Sequence, residues 1–110
     1  MSNQFVKTLT TDVGTTPETV YTTGISTRST VIGINIANTT SGPITVDIQF
    51  YDDANTNTGY IVKGVVIAKG TSLAAIGGDQ KIVMITGDKM YVQSSAATSI
   101  DAILSIMEIT

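Results

Sequence analysis

The stretch Ser29-Thr30-Val31-Ile32-Gly33-Ile34-Asn35-Ile36-Ala37-Asn38 decides the fold. Isoleucine recurs at every second position through Ile32, Ile34 and Ile36, while Gly33, Asn35 and Ala37 take the alternate positions. A period of two sends side chains to opposite faces of an extended chain, so the stretch predicts a half-buried β-strand with these isoleucines on one face. The polar run Asn38-Thr39-Thr40-Ser41-Gly42-Pro43 ends it. Ile44 to Tyr51 then repeats the alternation, with Ile44, Val46, Ile48 and Phe50 inward and Thr45, Asp47 and Gln49 outward. Two alternating strands across a short turn predict an antiparallel hairpin.

Working outward, the same grammar divides the whole chain. Gln4 to Thr11 and Glu18 to Thr23 are separated by Val13-Gly14-Thr15-Thr16-Pro17. The polar loop Asp52 to Gly59 precedes a strand from Tyr60 to Ala68, and Ser72 to Ile76 reads as a short strand. Gly77-Gly78-Asp79 and Thr86-Gly87-Asp88 read as turns around Lys81 to Ile85 and Lys89 to Ser95. The last strand, Ile100 to Ile109, is apolar on both faces: Ile100, Ala102, Leu104 and Ile106 on one, Ile103, Met107 and Ile109 on the other. Either the N-terminal segment covers that second face or a neighbouring subunit does. Roughly eight or nine short strands with turns about every 8 to 12 residues predict an all-β antiparallel sandwich, jelly-roll or Ig-like. Residues 1–16 read as an N-terminal arm or edge strand and residues 17–110 as the sandwich domain.

Composition agrees. Of 110 residues, 19 are Thr, 15 Ile and 10 Val, against three Leu. Branching at Cβ restricts χ1 and suits a pleated strand better than a helix. Charge is sparse, with six Lys or Arg and nine Asp or Glu for a net charge of −3. The basic residues Lys7, Arg28, Lys63, Lys69, Lys81 and Lys89 are scattered, so no row of phosphates is matched and nucleic acid is not an expected partner. A surface with few charges is cheaper to dock against a neighbour, because fewer ions leave water. The opening residues lack a signal-peptide pattern and no apolar run approaches the ~20 residues of a membrane-spanning helix, so synthesis in a cytoplasm and no membrane partner are expected.

Chemistry is constrained by what is missing. There is no His, Cys or Trp. This removes Ser-His-Asp and Cys-His catalysis, zinc ligation by His or Cys, and disulfides. Asp52 and Asp53 are adjacent and point apart on an extended chain, while Asp47, Asp79, Asp88 and Asp101 are isolated, so no paired-carboxylate hydrolase is indicated. Asp53-Ala54-Asn55-Thr56-Asn57-Thr58-Gly59 opens like a calcium loop but has Thr58 where Gly is needed and Gly64 where Glu is needed, so it reads as turn chemistry. Gly77-Gly78 lacks the following Lys and helix of a phosphate loop. Asn38-Thr39-Thr40 matches a glycosylation sequon by chance. The expectation is therefore no enzyme, no catalytic residue, no cofactor and no metal.

Several stretches together carry a family likeness. They are Thr19-Val20-Tyr21-Thr22-Thr23, Thr30 to Thr40, Tyr60-Ile61-Val62-Lys63-Gly64, Ile67 to Leu73, Gly87-Asp88-Lys89-Met90-Tyr91-Val92-Gln93-Ser94-Ser95 and Ile100 to Glu108. This pattern resembles small virion structural proteins of tailed bacteriophages, especially those of marine and cyanobacterial hosts. The resemblance spans about residues 18–110, is sharpest at the Gly87-Asp88 turn, and brings no catalytic residues with it. It implies a non-enzymatic virion protein, foremost a capsid decoration or cement protein bridging major capsid proteins as a homo-oligomer such as a trimer. A neutral Thr-rich contact surface and an extended arm fit that role. The alternatives are a neck or tail adaptor or ring component, and a carbohydrate- or receptor-binding fibre-tip module. The last predicts an exposed aromatic cluster, for which Tyr51 and Tyr60 are the candidates.

Overall fold

A computed structural model describes residues 3–76 and 81–110. The described residues form nine β-strands: β1 (Asn3–Val13), β2 (Glu18–Thr22), β3 (Arg28–Asn38), β4 (Ile44–Asp52), β5 (Asn57–Ile67), β6 (Ser72–Ile76), β7 (Ile82–Ile85), β8 (Lys89–Ser94) and β9 (Ile100–Ile109). Every pairing is antiparallel. One sheet runs β1-β9-β3-β6, with β7 continuing the edge beside β3; the other runs β2-β8-β4-β5. The chain wraps back and forth between the sheets, and among the described residues only β4 and β5 pair as consecutive strands. This is the jelly-roll order of the two topologies that the sequence leaves open, with one edge strand split into β6 and β7. The turn expected at Gly77-Gly78-Asp79 lies outside the described residues.

The inner faces close over a core of β-branched residues, Leu and Met. Val31, Ile34, Ile36, Met84, Leu104 and Ile106 come from the five-stranded sheet, and Val46, Ile48, Met90 and Val92 from the four-stranded one, each nearly or fully buried. Two expectations are corrected. First, β3 and β4 are not a hairpin: they lie in different sheets, and residues 39–43 arch between the layers. Second, a bulge between Val31 and Gly33 shifts the register against β9, so Val31, not Ile32, joins Ile34 and Ile36 in the core. A bulge adds one residue to a strand and reverses the face of what precedes it.

The arch is fastened by Asn38, which is 3% exposed. Its Nδ2 donates to the carbonyls of Gly42 and Ile67, both at 2.9 Å. Its Oδ1 accepts from the backbone N–H of Thr40 at 2.9 Å and from Thr40 Oγ1 at 2.8 Å. At the other end of the molecule, Gly87 (φ +90°) and Asp88 join three segments. Asp88 accepts from the N–H groups of Ile85 and Asp53, each at 3.0 Å. Thr23 N–H donates to the Asp88 carbonyl at 2.9 Å and Gly87 N–H to the Thr23 carbonyl at 3.0 Å. A Cβ on residue 87 would overlap the Asp53 side chain, meeting its Cγ at 2.8 Å, so both space and backbone angle call for glycine.

One hydrogen bond crosses between the layers from β2 to β9: Tyr21 hydroxyl donates to Glu108 Oε2 at 2.6 Å. Burial, followed by this bond, raises the Tyr21 pKa above its ordinary value of 10.0. The unfolded chain therefore releases the phenolic proton at lower pH than the folded one. The contribution of this group is fully present below pH 10.0 and declines as pH rises through the folded value. Tyr21→Phe is expected to cost about 1 to 2 kcal/mol at pH 7. It also removes part of the alkaline fall in stability, which urea titrations of both proteins between neutral pH and pH 11 would measure.

Candidate functional site

The two outer faces differ in kind. On the four-stranded sheet the outward residues of the two central strands are Thr45, Asp47 and Gln49 on β4 and Lys89, Tyr91 and Gln93 on β8, with Tyr60 and Val66 exposed beside them on the edge strand β5. That is the usual solvated face of an antiparallel sheet. The five-stranded sheet carries large apolar side chains outside as well as inside, with the row Lys7, Ser105 and Gly33 between its apolar rows. Registered across it are Phe5 beside Met107, Thr30 and Val83 in one row, and Leu9 beside Ile103, Asn35 and Ala74 in another. A third row holds Ile109, Arg28 and Ile85. Phe5 is 77% exposed, Val83 66%, Leu9 65%, Ile103 46% and Ile85 45%. A shallow trough of about 420 Å³, lined by Phe5, Val6, Lys7, Ile32, Ser105 and Ile106, runs between the first two rows.

The sequence singles out Ile103, Met107 and Ile109 for this face and offers cover by the N-terminal segment as one explanation. The structure removes that explanation. Asn3 to Val13 pairs alongside β9 as an edge strand and leaves the face open. It widens the face by adding Phe5 and Leu9. Sequence reasoning missed these two residues, although the alternation Phe5-Lys7-Leu9 was there to read. Val83 and Ile85 were equally obscure, since their outward direction follows from the pairing of β7 with β3.

The polar candidates have local duties. Asp47 accepts from Gly64 N–H at 2.7 Å, Asp52 from Asn55 Nδ2 at 2.8 Å, and Asp101 from Asp12 N–H at 3.2 Å. The turn of the β4–β5 hairpin is residues 53–56, where Thr56 N–H reaches the Asp53 carbonyl at 3.4 Å; Asn57, Thr58 and Gly59, expected in the loop, already pair with β4. Asp12 and Glu18 share a polar groove of about 480 Å³ with Gly14, Thr16, Pro17, Ala97 and Thr98. Among the described residues no group of three or more acidic side chains could hold a metal ion. No helix there is long and apolar enough to cross a membrane. The sequon asparagine is the buried Asn38 of the arch. Tyr60 lies under the Lys63 ammonium, 4.9 Å from its ring centroid, and Tyr51 under that of Lys89 at 6.0 Å, so neither ring is a bare platform.

No protein-family model matches the chain, and no curated protein matches it. Among solved structures, one reported under the words "Bacillus endospore appendages form a novel family of disulfide-linked pili" is similar over 99% of this chain and 87% of its own, with a TM-score of 0.57 and 21% identity. At that identity the likeness is one of fold. It overturns the expected bacteriophage capsid decoration role, with a major capsid protein as partner, and the neck, tail and fibre-tip alternatives fall with it. Of the arm and the edge strand that the sequence allows for the N-terminal segment, the structure has the edge strand, paired with β9, and the exposed large apolar side chains Phe5, Leu9, Val83, Ile85 and Ile103 stand on its sheet.

Proposed function

We propose that this protein is a non-enzymatic structural subunit that acts by associating with copies of itself. The observation that carries this reading is the outer face of the five-stranded sheet. Five large apolar side chains stand there between 45% and 77% exposed. An exposed apolar patch of a few hundred Å² on a soluble protein is often a contact surface. The fold likeness to a pilus protein supports a polymerising role. The mode of linkage must differ, because the 110 residues contain no cysteine and any assembly they form is held without disulfides.

Light scattering coupled to gel filtration, with negative-stain microscopy of the same fractions, tests the reading. The expected result is a mass well above the 11.5 kDa of one chain, rising with concentration and unchanged by reducing agent. A single 11.5 kDa species up to about 100 μM would overturn it.

A further inference from the structure

We infer that the outer face of the five-stranded sheet docks on the same face of a second copy, with the strands of the two copies antiparallel. The inference rests on the self-associating reading above and names its surface and geometry.

Size is the first argument. The apolar rows span four strands at ~4.8 Å spacing and three row intervals at ~6.8 Å, which with side-chain girth gives roughly 500 Å² per copy. A face-to-face pair therefore buries about 1,000 Å², the size at which specific interfaces begin. Two sheet faces pack about 10 Å apart with strands within about 30° of each other, as the two layers inside a sandwich do.

Charge supplies the second argument and selects the occupant. Arg28 is exposed at one end of the face, in the row of Ile109 and Ile85. Asp101 stands at the other end, beside Ala37, with Asp12 bonded to it. The two ends lie ~30 Å apart along β3. A two-fold axis lying in the interface and crossing the strands turns the second copy end for end. Each Arg28 then comes to the Asp101 end of the other molecule, and the contact forms twice. Strands running the same way would set like charge over like. The face thus carries its own complement, which a foreign partner would have to supply separately. Lys7 stands on the edge strand in the row of Ser105, between the apolar rows, and lines the trough. In this arrangement the two copies' Lys7 side chains meet at the open edge of the sheets, where their flexible stems can carry both ammonium groups into water.

Analytical ultracentrifugation of the full chain and its variants tests this. Ile103→Lys and Leu9→Lys change exposed positions, so the fold is expected to survive, with strand circular dichroism as the check. Each should weaken self-association at least 100-fold. If one variant fails to fold, the other carries the test. Arg28→Asp and Asp101→Arg should each weaken it about tenfold, and the double reversal should restore it to within a few-fold of the parent. Oligomers that persist unchanged in Ile103→Lys and Leu9→Lys overturn this geometry while leaving the self-associating reading in place. So does a double reversal no stronger than the single changes. A parent chain that is monomeric overturns both, and a monomer that binds lipid vesicles or a different protein through this face assigns the face to another occupant.

Discussion

Truncating Leu104 to alanine is expected to lower the unfolding free energy by about 3 to 5 kcal/mol, the upper range for a buried leucine. Leu104 is fully buried in the middle of β9, the strand registered with both β1 and β3. It belongs to the buried core cluster to which both sheets contribute. The cost therefore combines lost transfer energy with an unfilled cavity. A domain of this size has only about 5 to 15 kcal/mol in all, so the variant's thermal midpoint should fall by roughly 15 to 25 °C. Calorimetry checks this directly. A fall below about 5 °C would mean that the core is not the close-packed layer described.

The second large effect is expected at Asn38. Asn38→Ala should cost about 2 kcal/mol, since it takes the side-chain donor from the buried Ile67 carbonyl, while Thr40 Oγ1 still reaches the Gly42 carbonyl. Asn38→Asp should be at least as damaging. It keeps the acceptor facing Thr40 but turns a carboxylate oxygen toward the two carbonyls that now receive N–H bonds. Urea titrations of the three proteins measure both. Equal midpoints for parent and alanine variant would show that the arch does not depend on this side chain.

Asn38 also shows where sequence reading stopped. Alternation in Ser29 to Asn38 and Ile44 to Tyr51 was enough to place both strands, because burial on one face leaves its mark at every second residue. It says nothing about which strand lies alongside. A five-residue polar connection serves a hairpin and an inter-layer arch equally well, and the difference lies in where one amide group sends its hydrogen bonds. The bulge at Val31 to Gly33 is hidden for a related reason: three isoleucines in step look like one face until a partner strand fixes the register. At the other extreme, Ile100 to Ile109 was legible to the residue, as was its doubled apolarity. What covered its second face was not, since neither composition nor period says whether an N-terminal strand lies over β9 or beside it. Sparse charge led to an expectation of docking through a Thr-rich surface, and the second face of β9 to an expectation of cover by the N-terminal segment or a neighbouring subunit; the full extent of that apolar face emerges only once the strands are paired.

The pairing of Asn3 with Ile109, and of Ile109 with Arg28, has a practical consequence. The polypeptide enters and leaves the sandwich at the same pole of a body 45 Å long. A reporter or peptide grafted before Asn3 or after Ile109 starts from that pole in either case, and a short linker between these positions would allow a circular permutant. In an end-for-end pair the two poles point opposite ways, so fluorophores attached there would sit far apart. Energy transfer between them would then read out how the copies are oriented.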